Sequence, residues 1–94
     1  MVVAVLELTL SIHAFSLKDK RSVVRRVLAR CRSEFNVAAA EVDELDDVNG
    51  AVLGFTSVSN DKRYLEGQLQ ALEDFVDRLE LAEIVDAQRT FLRV

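Results

Sequence analysis

From Val2 to His13 the chain alternates between two kinds of position, and nothing else in it constrains the fold as strongly. Ala4, Leu6, Leu8, Leu10 and Ile12 share one parity, and Glu7, Thr9, Ser11 and His13 share the other. Val3 and Val5 break the polar parity only at its beginning. Successive side chains of a strand point to opposite faces, so this period of two predicts a strand with one face buried. The period then changes. Val23, Val24, Val27, Leu28, Cys31 and Phe35 fall on the i, i+3, i+4, i+7 stripe of an amphipathic helix over residues 19–35. Ser16 stands where a cap is needed, Asp19 completes a loose capping box, and Asn36 is a reasonable stop.

The same grammar recurs in the second half. Residues 37–43 and 51–59 read as short strands, joined by a loop over 44–50 that ends in the turn dipeptide Asn49-Gly50. These strands are expected to form a hairpin, with Gly54 marking a bulge or a close approach by a neighbour. Residues 61–79 return to helical spacing, with Leu65, Leu69, Leu72, Val76 and Leu79 on one face and Phe75 beside them. Ser59 or Asn60 is expected to cap this helix, and Asp61 suits the positive end of its dipole. Residues 82–94 carry Ile84, Val85, Ala87, Phe91, Leu92 and Val94 and read as a last strand.

The order is βαββαβ. Right-handed crossovers and a central hairpin turn it into an α+β ferredoxin-like plait, a four-stranded antiparallel sheet with both helices on one face. The other face is left uncovered, with the row Glu7, Thr9, Ser11 and His13 on it. With 94 residues, half of them apolar, no proline and three glycines, the chain is expected to form one domain over residues 1–94 around one core. The single cysteine permits no internal disulfide. The apolar start lacks a basic leader and a continuous apolar span, so it reads as neither a signal peptide nor a membrane span. The expected location is the cytoplasm.

Charge is divided unevenly. Residues 1–40 hold seven bases and three acids, net +4, whereas residues 41–94 hold five bases and thirteen acids, net −8. All seven bases of the first part lie between Lys18 and Arg32. Lys18, Lys20, Arg21, Arg25 and Arg26 are therefore the candidate residues for binding RNA or another anion, with Arg30 and Arg32 continuing the series. Guanidiniums along a rod can grip successive phosphates or carboxylates, and each neutralised phosphate adds salt-dependent affinity. The competing reading is a solvated face offset by Glu66, Glu73, Asp74 and Asp77 of the neighbouring helix. Net acidity argues against a general nucleic-acid binder.

Other chemistries find little support. An RNA-recognition motif shares this plait but needs aromatics on its central strands, where only Phe55 is available. His13 is the only histidine, and no Cys/His cluster suggests a metal. Ser11, His13 and a carboxylate could be drawn as a triad, but no nucleophile elbow accompanies them. Glu41, Asp43, Glu44, Asp46 and Asp47 match a calcium loop in charge and not in spacing. No phosphate-binding loop or dinucleotide fingerprint occurs, so no cofactor is expected and enzymatic activity is not the leading expectation.

Three stretches together carry a resemblance: SLKDKRSVVRRV over 16–27, FNVAAAEVDELD over 35–46 and AVLGFTSVSND over 51–61. They resemble the small bacterial YlxP-like proteins, a family catalogued as a domain of unknown function. Ser16 to Ser22 and Val58 to Asp61 match its most specific wording. The resemblance implies a ferredoxin-like fold. It also implies genes lying beside those for translation initiation factor two, transcription factor NusA and ribosome-binding factor A. That implies an accessory factor near ribosome assembly or translation, partnered by ribosomal RNA or a ribosome-associated protein. Many members carry a tryptophan in the hairpin loop and a proline before the basic motif, and this chain has neither. The alternative expectation is an interaction module that forms a homodimer across the uncovered sheet face through Val3, Val5 and whichever of Val85, Ala87 and Phe91 face outward.

Overall fold

The computed structural model describes all 94 residues. In order come β1 (Val2–Ser11), α1 (Leu17–Glu34), β2 (Ala38–Asp43), β3 (Gly50–Ser59), α2 (Lys62–Leu79) and β4 (Glu83–Arg93). The strands make one antiparallel sheet in the order β2-β3-β1-β4, the expected ferredoxin-like plait. β1 is central because both its faces of hydrogen bonding are used: it pairs with β3 from Val2↔Ser59 to Ser11↔Gly50, and with β4 from Val2↔Arg93 to Ser11↔Glu83.

The alternation of β1 becomes a physical partition. Val2, Ala4, Leu6, Leu8 and Leu10 are buried and meet Leu53 and Phe55 of β3, Val24, Val27 and Cys31 of α1, and Leu65, Leu69, Leu72 and Val76 of α2. Burying each large aliphatic side chain contributes about 1.5–3 kcal/mol, so a one-residue slip of β1, which would expose the whole set, is strongly disfavoured. No helix is long and apolar enough to cross a membrane.

Boundaries shift where local hydrogen bonds decide them. β1 ends at Ser11, and Ile12 is held beyond it by its N–H to Asn49 O at 2.9 Å. His13 therefore lies past the ladder and not in the open-face row. α1 starts at Leu17, two residues earlier than the apolar stripe suggests. There Ser16 Oγ accepts from Asp19 N–H at 3.1 Å, while Asp19 Oδ2 accepts from Phe15 N–H at 3.1 Å. For α2 the cap is Asp61 and not Ser59 or Asn60. Its Oδ1 accepts from Arg63 and Tyr64 N–H, and Ser59 Oγ accepts from Asp61 N–H, so the expected cap supports the real one.

Of the two readings of Gly54, the close approach holds, and the bulge lies in the neighbouring strand instead. β2 bulges at Val42, between Glu41 and Asp43, and Val42 leans over Gly54, where a Cβ would meet its Cγ1 at 2.9 Å. A second bulge leaves Val85 unpaired between Ile84 and Asp86. Of the three β4 residues considered for the open face, Ala87 and Phe91 sit opposite Leu8 and Ala4, on the helix side. Phe91 packs against the core beneath Lys62, whose Nζ is 5.2 Å from the ring centre. Val85 and Ala87 stay exposed outside the core.

Candidate functional site

The bases of α1 do not act as one surface. The helix turns 100° per residue, and that turn sorts them by what each can reach. Lys20 lies four, seven and eleven residues before Val24, Val27 and Cys31, on the apolar stripe itself. The structure accordingly removes it from the anion-binding set. Its side chain is fully buried, and Nζ donates to Glu41 Oε2 at 2.6 Å, Glu44 O at 2.8 Å and Leu45 O at 3.1 Å. All three ammonium donors are satisfied, and none is left for a ligand. The helical spacing carries this signal, which charge alone does not.

One flank of α1 leans toward β2 and the hairpin loop. Arg32 Nη2 donates to Ala39 O, and Arg21 Nη2 lies 3.7 Å from Asp46 Oδ1, a pair in which both side chains are more than half exposed. Such a surface pair is weak and leaves Arg21 largely available. The opposite flank leans toward α2. Arg30 stands over Phe75 with its guanidinium carbon 5.8 Å from the ring centre, and Phe75 meets Phe35 edge-on at 5.6 Å.

Lys18, Arg25 and Arg26 remain. All three are exposed and make no hydrogen bond or ion pair with the protein. Lys18 and Arg25 are two turns apart on one line, about 10 Å along the axis. The uncharged Ser22, Ala29 and Ser33 fill the face beside them. The acids of α2 do not neutralise these bases. Glu73 instead receives Arg89 of β4 at 3.4 Å, and Asp74 receives Gln70. Of the five sequence-predicted residues, the structure brings Lys18, Arg25 and Arg26 together as free cations, places Arg21 at their border and takes Lys20 inside.

The remaining groups are arranged as follows. Ser11 and His13 line a hollow with Glu80 and Glu83, and no hydrogen bond joins Ser11 to His13. Glu80 is held in the left-handed region at φ 54° as it ends α2. Cys31 is buried in the core, and burial pushes its thiol up to about 11 against the opposing pull of Arg32. On the uncovered sheet face, Val5, Ala38, Ala40, Val42, Gly54 and Thr56 line a hollow of about 340 Å³ with Glu7 at its wall.

Comparison with known proteins gives a consistent result. A family profile described as "Protein of unknown function (DUF503)" matches residues 3–89. An uncharacterized protein of Bacillus subtilis (strain 168), YlxP, is 36% identical over 64 residues, 68% of this chain and 70% of its own length. Among solved structures, a mutant of SnoaB, a cofactor-independent oxygenase from Streptomyces nogalater, superposes with a TM-score of 0.50. That likeness covers 99% of this chain and 92% of the other at 16% identity, and it is one of fold alone.

Proposed function

The chain belongs to the DUF503 family of proteins of unknown function, and from its surface chemistry we propose that it is a non-enzymatic cytoplasmic factor that holds RNA phosphates on the outer face of α1. Ribosome assembly or translation is the setting this reading favours, through the family's resemblance. One observation carries it: Lys18, Arg25 and Arg26 share a helix face with no protein counter-charge within ion-pair distance. Unpaired cations on one rod can neutralise phosphates without first breaking internal contacts. The net charge of −4 concentrates the binding there, because the acidic remainder of the chain repels a polyanion.

The test is binding of the purified protein to ribosomal subunits and to generic RNA across a salt series. Three neutralised phosphates of single-stranded RNA give a slope of log K against log salt of about −2. The double variant Arg25→Glu/Arg26→Glu abolishes binding and leaves the thermal unfolding midpoint in place. Binding that survives the reversal, or its absence from the wild type at low salt, refutes the reading.

A second reading, a homodimer across the uncovered face, draws on a different observation. Val58, Val3 and Leu92 form one apolar row across three strands of that face, and Val58 and Leu92 are each more than half exposed.

A further inference from the structure

Phe15 is 99% exposed, the most exposed large apolar side chain in the molecule. It immediately precedes the Ser16 cap of α1, and its own N–H donates to Asp19 Oδ2, so its backbone is held by the capping network. An aromatic residue at this position ordinarily packs on the fourth residue of the helix as a hydrophobic staple. Here that fourth residue is Lys20, drawn into its cage of Glu41, Glu44 and Leu45 acceptors. The ring therefore has no intramolecular partner, and its apolar faces stay in water on a fixed stem. Three residues on stands Lys18, followed on the helix by Arg25 and Arg26, all free.

A partner for this end of the helix must offer a flat, stackable surface and negative charge a short way along. Single-stranded RNA has both: an unpaired base presents a π face, and its neighbours present phosphates. A duplex presents the phosphates alone, its bases being stacked on each other. We infer that Phe15 is a stacking platform for an unpaired base, and that α1 selects single-stranded over double-stranded RNA. The inference rests on the reading of α1 as a phosphate-binding face and names the form of RNA that it takes.

The chain contains no tryptophan, so Phe15→Trp places a single indole reporter at the site. The full chain carrying it is titrated with a single-stranded twelve-residue oligoadenylate and with a twelve-base-pair RNA duplex at equal phosphate concentration. Oligoadenylate quenches the emission saturably, and the duplex does not. Phe15→Ala weakens oligoadenylate binding by about 5- to 150-fold, the effect of removing one stacked base, and leaves duplex binding and the unfolding midpoint unchanged. Arg25→Glu/Arg26→Glu abolishes binding of both. If Phe15→Ala binds oligoadenylate as tightly as the wild type does, or the duplex quenches equally, stacking is refuted and the phosphate-binding face stands. If the wild type binds neither RNA at low salt, the phosphate-binding face falls and stacking falls with it.

Discussion

An ammonium has three N–H donors, and around Lys20 each one has an acceptor. The cage ties the first turns of α1 to β2 and to the loop that begins the hairpin turn, three segments with no disulfide or metal to join them. Its energetic weight lies in what removal leaves behind. In Lys20→Met the Glu41 carboxylate, only 15% exposed, loses its cation while two carbonyls lose a donor. Breaking such a pair costs about 3 kcal/mol, at the low end for buried ion pairs because Glu41 keeps some water. Urea unfolding should show that loss, and adding Glu41→Leu should recover much of it, because the uncompensated charge is then gone. A loss under about 1 kcal/mol would mean that the cage positions the loop without stabilising the fold.

At the scale of the element, each helix solves a different problem. α1 sends one base inward, spreads two toward β2 and one toward α2, and leaves three outside; α2 keeps its carboxylates for β4 and solvent. α2 also carries a weak point. Gly67 lies in its middle, exposed, and a methyl group there would meet no atom within 4 Å. Glycine inside a helix costs roughly 0.5–1 kcal/mol relative to alanine, through the greater backbone freedom of the unfolded chain. Gly67→Ala should therefore raise the unfolding midpoint by several degrees, roughly 3–6 °C for a chain of this size, in a calorimetric scan. An unchanged or lowered midpoint would show that the helix bends or packs at Gly67 in a way that excludes a side chain.

For the whole molecule the decisive asymmetry is between the two faces of the sheet. One is sealed by both helices. The other exposes the row Val58, Val3 and Leu92 and the hollow around Val42 and Gly54. If that face pairs two copies, sedimentation equilibrium at tens of micromolar gives twice the 10.6 kDa monomer mass, and Val58→Asp returns the monomer. A monomer at hundreds of micromolar would remove this reading. Dimerisation and RNA binding are compatible, since pairing through the sheet leaves both copies of α1 on the outside and raises their joint avidity.

The alternation of Val2 to Ile12 and the helical stripe from Val24 to Cys31 were enough, with the two later strand runs, to determine the element order and the plait. The hairpin, though, turns at Glu44 to Asp47 and not at Asn49-Gly50, where Gly50 already opens β3. Periodicity is a local property, and only a few topologies satisfy this order with right-handed crossovers. The cap at Ser16 was legible for the same reason, because its acceptor and donor lie three residues apart. The fate of the individual bases was legible only in part, through the place of Lys20 on the apolar stripe. Charge counted along the chain cannot tell a cation at a solvent face from one aimed at a partner, and the partners of Lys20 lie 21 to 25 residues away. Nor could the sequence show that the staple position of Phe15 was already taken by the buried lysine. Tertiary structure decided both, because burial and pairing depend on which distant groups the fold brings within a few ångströms.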